Sequence, residues 1–421
     1  MTWDHFFDLC SERAESLRDQ LETKVQQIIL QPSHRQGSLF LLGVGLRLGL
    51  PLILDEKCLL SAKTPDQLCW NESILPAAWR LNPPILHYSP GHSAARWNIE
   101  AQSLTFCTSG SSGSPKLIAK SGRGLLAELN DLQILYQLEP NQEVLSLVSP
   151  LHIYGFLHSF LLPMLSGSRV SFAEFDAGLY QLPAEVQSRI DLLIAVPATW
   201  SLVKNILQEH PIGTLVMSGA AFGSLRQSEL KQLPSRPKRS FEIFGSTETG
   251  AIGFRYLNQE IESFTVMPSV RVLELDLGQS IESPYVWPEL QVPLADRLLM
   301  EGPQQFRSLG RSDRVFKYAG QRFSLAAIEQ ALQDSLPGMA VVCVFCEDQN
   351  IAQGGRLEAY VESPVAVGLE AMRAEFIRAP EIIFPQKFFW IPSFPRDSQG
   401  KIQQSPCSLS RLVKEQDQVE P

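Results

Sequence analysis

The chain alternates short apolar runs with loops of small or polar residues. Five segments share this design: SLTFCTSGSSGSPK (103–116), VLSLVSPLHIYG (144–155), DLLIAVPATW (191–200), GTLVMSGAAF (213–222) and FEIFGSTETG (241–250). Short apolar runs bounded by turn residues read as buried strands. GLLAELNDLQILYQL and ATWSLVKNILQEH lie between them and read as helices. Alternating strands and helices predict an α/β architecture with a mainly parallel sheet. Ligands are then expected at the carboxyl ends of the strands, where the loops lie.

The texture changes near Leu273. Residues up to Val292 are rich in Pro and Glu with short alternating runs, which predicts antiparallel strands. GRSDR follows as a polar joint, then a strand RVFKY, a Gly turn and a helix from about Ser324. AVVCVFC and RLEAYVES read as strands, and KFFWIPSFPRDSQGK as a polar terminal loop. The predicted organisation is a large domain over 1–312 and a small, mobile α+β domain over 313–421. The opening stretch, MTWDHFFDLCSERAESLRDQLETKVQQIIL, reads as an amphipathic surface helix, and its charges exclude a signal peptide.

Composition narrows the function classes. At 44% hydrophobic and 19% charged residues, the chain suits a globular protein with a large core. Its net charge of −9 argues against nucleic acid as the main partner. No apolar stretch reaches the roughly 20 residues needed to span a membrane. Seven scattered cysteines fit reduced thiols in a cytoplasm. Cys343-Val-Phe-Cys346 lacks the second pair or the histidines of a zinc site, and an offset of three on a strand puts its thiols on opposite faces.

Several residues carry candidate chemistry, each with a plainer alternative. Thr108-Ser-Gly-Ser-Ser-Gly-Ser-Pro-Lys116 has the composition of a linker. Equally, its amides and hydroxyls suit a phosphate chain, and the strand-like run before it favours that reading. It is not a Walker A loop, which counts against a P-loop kinase or ATPase. Gly245-Ser-Thr-Glu-Thr-Gly250 reads as a capped helix start, or as a Mg²⁺-binding carboxylate beside a phosphate-binding hydroxyl. Taken singly, His152 is a hydrogen-bonded loop histidine, Asp296 and Asp313 are loop aspartates, and Lys401 is a solvated tail lysine.

In order and spacing the set resembles the adenylate-forming (AMP-binding) superfamily, with its acyl- and aryl-CoA synthetases, luciferases and peptide-synthetase adenylation domains. The family's phosphate loop, [ST]-S-G-[ST]-[ST]-G-x-P-K, matches Thr108 to Lys116, and its aromatic-G-x-T-E matches Phe244-Gly-Ser-Thr-Glu248. Its ribose aspartate stands 14 positions before a G-R-x-D joint, as Asp296 does before Gly310. The joint G-R-x-D-x-x-x-K-x-x-G matches Gly310 to Gly320, and the closing P-R-x-x-x-G-K matches Pro395 to Lys401. Three departures stand out: a shortened N-terminal region with 1–100 unmatched, Phe244 where Tyr is common, and Leu294-Ala295 where Thr-Gly precedes the aspartate.

The resemblance implies ATP-dependent activation of a carboxylic acid to an acyl-adenylate, then transfer to a thiol. The loop of Thr108, Ser109, Gly110, Ser111, Ser112, Gly113 and Lys116 would grip pyrophosphate. Glu248 would hold Mg²⁺ beside Thr247 and Ser246. Phe244, Gly245 and the backbone of Gly219, Ala220 and Ala221 would enclose adenine, with Asp296 and Arg311 on the ribose. Lys401 would place a cation between the carboxylate and the α-phosphate, and Asp313 would be the hinge. Lys317 and Gly320 would reach the site in the thiol-transfer state. Pro150-Leu-His152-Ile-Tyr154-Gly155 resembles aryl-CoA ligases, so an aromatic acid is expected, with His152 near it. The acceptor would be coenzyme A or the phosphopantetheine of an acyl carrier protein. A non-catalytic nucleotide- or partner-binding scaffold on the same fold is the alternative.

Overall fold

The computed structural model describes residues 3–18, 27–31, 35–48, 51–55, 67–70, 99, 103–109, 115–176, 179–182, 186, 189–259, 263–275, 278–311, 315–318, 321–336, 338–347, 355–363, 383–394 and 402. Three strand systems carry the candidate chemistry.

The first opens with the helix Trp3–Arg18, which buries Phe6, Phe7, Cys10, Ala14 and Leu17 at helical spacing. The amphipathic reading holds for this stretch. Its end differs, because Gln27–Leu30 (QIIL) is strand β1. Two β-branched residues beside a leucine suit a fully buried strand. β2 (Leu52–Leu54) and β3 (Gln67–Trp70) flank β1 in parallel, and β2 also pairs in parallel with β4 (Ser103–Ser109). Three strands from within residues 1–100, β1 to β3, thus belong to the sheet that carries Thr108. β5 (Pro115–Ser121) closes this sheet antiparallel to β4, with Thr108 opposite Lys116. β4 and β5 thus flank the glycine-rich segment, of which residues 110–114 lie outside the described residues. The helix Gly122–Tyr136 follows β5, and Ser121 Oγ caps it by accepting from Gly124 N at 3.1 Å.

The second sheet has nine strands. β6 (Glu143–Ser146) and β7 (Arg169–Phe172) begin it, and a small hairpin follows from β8 (Glu174–Asp176) and β9 (Leu179–Gln181). β10 (Ile190–Ala195), β11 (Ile212–Met217) and β12 (Arg239–Ser246) extend the parallel part in the order β7-β6-β10-β11-β12. These strands are apolar on both faces. Leu192 and Ile194 join one core, and Leu193 and Ala195 join another beneath the helix Trp200–Glu209. Burying each of these leucine and isoleucine side chains is worth about 1.5–3 kcal/mol.

Beyond β12 the direction reverses. β13 (Gly250–Tyr256) and β14 (Phe264–Val266) run antiparallel, and a separate antiparallel sheet of β15 (Arg271–Leu275), β16 (Gly278–Glu282) and β17 (Gln291–Pro293) fulfils the expectation for that stretch. β18 (Asp296–Gly302) and β19 (Gln305–Arg311) complete the large sheet.

The last region has its own core. β20 (Val315–Tyr318) and β21 (Gln321–Ser324) form a hairpin leading into the helix Leu325–Ser335, capped by Ser324. β22 (Val341–Glu347) and β23 (Gly355–Glu362) pair antiparallel. Lys387–Ile391 departs from the terminal-loop expectation. It is β24, parallel to β23, because its aromatic residues pack on the strand beside it, with Phe389 stacked on Tyr360. Cys343 is buried in this core, whereas Cys346 lies beside Glu358. Among the described residues, no helix is long and apolar enough to cross a membrane.

Candidate active site

The two glycine-rich motifs meet. Lys116 Nζ lies 2.7 Å from Glu248 Oε1, across 132 positions of sequence. Lys116 projects from β5, and Glu248 sits in the turn Thr247–Thr249 joining β12 to β13. The helix-start alternative for Gly245–Gly250 therefore fails: the segment is a turn between antiparallel strands. A bulge at Phe244/Gly245 opens it. Gly245 is required there, since a Cβ would lie 2.2 Å from Gly250 O. Thr249 Oγ1 accepts from Ser246 N at 3.1 Å and donates to Gly250 O at 2.8 Å, which closes the turn. Thr247 is 8% exposed.

Electrostatics favour an ionised Glu248. Burial pushes its carboxyl up, but the hydrogen bond from Lys116 and those of its own turn outweigh this and hold it below the ordinary value. Its side chain is 36% exposed, and a carboxylate oxygen is the hard donor that Mg²⁺ prefers. Glu248 therefore fits a divalent cation, with Lys116 as its present counter-charge.

The expected adenine walls are also adjacent. Gly219 (φ +87), Ala220 and Ala221 are exposed and follow β11. Ser218 Oγ donates to Ile243 O at 2.9 Å, and Glu242 Oε1 accepts from Phe222 N at 3.0 Å, which lays this loop along the end of β12. Phe244 is half-buried, its ring packed against Phe264 and Phe306 at centroid distances of 5.4 and 5.6 Å. Phe306 belongs to β19, the strand that carries Arg311, and Asp296 stands opposite Arg311 in register.

His152 caps a short helical turn, its Nδ1 accepting from Tyr154 N at 3.3 Å, so the hydrogen-bonded loop reading of this residue holds. Tyr154 donates to Ala195 O and Val216 O, at the carboxyl ends of β10 and β11. The Pro150–Gly155 stretch thus lies at the carboxyl ends of β10 and β11, the edge where α/β sheets place ligands.

Not every sequence assignment falls on described residues. Gly110, Ser111, Ser112, Gly113, Asp313, Gly320 and Lys401 lie outside them, as do the side chains of Ser109 and Lys317. Conversely, a buried polar group beneath the turn went unread. Lys120 donates to Glu248 O at 2.8 Å, and Glu128 accepts from Ala251 N at 2.8 Å. The available signal was Lys120 itself, a cation in an apolar run four residues after Lys116.

Comparison with known proteins agrees with this geometry. A family model described as AMP-binding enzyme matches residues 74–277. A 4-coumarate–CoA ligase from Cereibacter sphaeroides is 29% identical over 311 residues, covering 71% of this chain and 70% of the relative. Over that segment and across most of its length, the chain is similar to the adenylate-forming, AMP-binding enzymes. A second superfamily relative, a 4-coumarate–CoA ligase from Rhodobacter capsulatus, is 28% identical over 315 residues, covering 72% of this chain and 75% of its own length. Among solved structures of the superfamily, o-succinylbenzoate coenzyme A synthetase from Bacillus subtilis, in complex with ATP and magnesium ion, has a TM-score of 0.72. It is 15% identical, with 97% of this chain and 93% of that one covered. ATP-bound MatB from Rhodopseudomonas palustris has a TM-score of 0.68 at 14% identity, with coverages of 96% and 92%. At such identities these likenesses establish the fold.

Proposed function

We propose that the protein is an AMP-forming acid–thiol ligase. A carboxylate oxygen attacks the α-phosphorus of ATP, the bond to the bridging oxygen breaks, and pyrophosphate leaves. A thiol sulfur then attacks the acyl carbon and AMP departs. The observation carrying this reading is the meeting of Lys116 with Glu248 at 2.7 Å on the ligand-binding edge of the fold.

Each residue has an electrostatic task, because two anions must approach each other. Lys116 and the rest of the segment from Thr108 bind the departing phosphates. Magnesium, when bound, offsets charge on phosphate oxygens, and Glu248 is the residue to hold it. Phe244 and the Gly219–Ala221 backbone bind adenine, and Asp296 accepts from the ribose hydroxyls with Arg311 beside it. Lys401 brings the cation between acid and α-phosphate, and the segment from Asp313 swings to exchange it for Lys317 and Gly320.

An aromatic acid is the proposed substrate. The Pro150–Gly155 stretch supports it, as do the names of the two bacterial relatives. Those names also favour coenzyme A as acceptor. A carrier-protein phosphopantetheine is the second candidate, supported by 22% identity over 385 residues to a dimodular nonribosomal peptide synthase of Bacillus subtilis. A cytoplasmic location is proposed on the seven scattered cysteines of the sequence.

Pyrophosphate exchange over a panel of benzoic, cinnamic and fatty acids tests the reading. Exchange with an aromatic acid, abolished in Lys401→Ala, is expected. ATP binding without exchange for any acid would leave the scaffold alternative.

A further inference from the structure

Two lysines on one strand hold the same glutamate by different atoms. Lys116 and Lys120 are four apart on β5 and so share a face. The exposed Lys116 reaches the Glu248 carboxylate, while Lys120, 3% exposed, reaches the Glu248 main-chain carbonyl. Lys120 has a buried counter-charge in Glu128, 4% exposed on the helix Gly122–Tyr136. Glu128 in turn accepts the main-chain amide of Ala251. A cation therefore meets the carbonyl on one side of the turn, and an anion meets an amide three residues on. Gly250 lies between them at φ +72, where a Cβ would come within 2.6 Å of Glu128 Oε2. Asp131, three residues further along the same helix, accepts from Ser269 N, Ser269 Oγ and the Tyr285 hydroxyl, which fixes the helix against the neighbouring sheet.

A buried pair of opposite charges is a poor source of stability, since apolar residues of similar volume serve as well. Its place beneath Glu248 points to orientation instead. We propose that Lys120 and Glu128 are positioning residues that fix the Thr247–Thr249 turn so that Glu248 presents its carboxylate to magnesium-bound nucleotide. This rests on the ligase reading above. Both side chains are buried under the turn and act through its backbone.

The test uses the full chain with Lys120→Met and Glu128→Gln combined. The pair of changes removes both charges, strands neither, and keeps an acceptor for Ala251. Calorimetry of ATP binding across a Mg²⁺ titration, without acid, is the first readout. Amide exchange across residues 247–251, without ligand, is the second. The expected result is about a ten- to hundredfold weaker apparent Mg²⁺ affinity, with faster exchange in the turn. A folded double variant with the unaltered Mg²⁺ requirement overturns the inference. Should the double variant not fold, Glu128→Asp decides. It keeps the charge but withdraws it from Ala251, so a several-fold higher Mg²⁺ requirement supports the inference and no change overturns it. If the unaltered chain shows no Mg²⁺-dependent ATP binding, the ligase reading fails and takes this inference with it. If the unaltered chain binds and the variant matches it, only this inference fails.

Discussion

Lys116 of β5 and Glu248 of the β12–β13 turn form an ion pair at 2.7 Å, with side chains 55% and 36% exposed. Exposed pairs add only about 0–1 kcal/mol to stability. The pair should therefore matter to chemistry and hardly at all to folding. Glu248→Gln is expected to lower pyrophosphate exchange about a hundredfold or more, with little change in the urea midpoint. Exchanging the two residues, Lys116→Glu with Glu248→Lys, restores the pair but not the exchange. Recovery of activity in that double variant would refute the assigned roles.

Asp296 gives a substrate-side test. Removing a charged acceptor from the ribose hydroxyls should weaken ATP binding by about 1.5–3 kcal/mol. Asp296→Ala should also lose discrimination between ATP and its 2′,3′-dideoxy analogue. Calorimetry with both nucleotides on both proteins checks this, and discrimination that persists in the variant would place the ribose elsewhere.

Gly245 tests the turn itself. In Gly245→Ala the new Cβ meets Gly250 O at 2.2 Å. A destabilisation of about 2 kcal/mol or more is expected, together with lost exchange activity. Gly302→Ala serves as the control, because nothing lies within 4 Å of a Cβ there. Equal urea midpoints for the two variants would count against the crowding assigned to Gly245.

His158 sets an acid limit on stability. Burial pushes its imidazole down to about 4, and the hydrogen bond to Tyr154 O opposes that only in part. Nδ1 faces a carbonyl and so carries the proton, which leaves Nε2 to accept from the Tyr136 hydroxyl at 2.9 Å. The folded state thus prefers neutral histidine. Its contribution is complete above the unfolded value near 6.5 and declines as pH falls toward 4, by up to about 3 kcal/mol. Denaturation midpoints between pH 7 and 4.5 should fall, and His158→Gln should flatten that slope.

The parallel strands were legible because their apolar runs are continuous, and the candidate site was legible through the residue types of the motifs at Lys116, Phe244, Glu248 and Asp296. Other features left weaker marks. QIIL is too short to announce a strand by periodicity, and β24 was hidden by the polar residues that follow it. The helix-like caps of GSTETG suit a β-turn equally well, and only its antiparallel neighbour decides. Lys120 and Glu128 are eight positions apart, and nothing in their spacing reveals that both close on one turn.

The hairpin of β4 and β5 has a consequence for how the proposed reaction ends. Where a phosphate loop feeds directly into a helix, fixed amide dipoles hold the anion. Here, among the described residues, the next helix starts at Gly122, already capped by Ser121, after the whole of β5. In the proposed reaction Lys116, at the start of β5, is the ammonium that leaves Glu248 to meet the departing phosphates. On that proposal, loss of pyrophosphate returns Lys116 to the pair at 2.7 Å with Glu248, so the empty site carries its own counter-charge for the lysine.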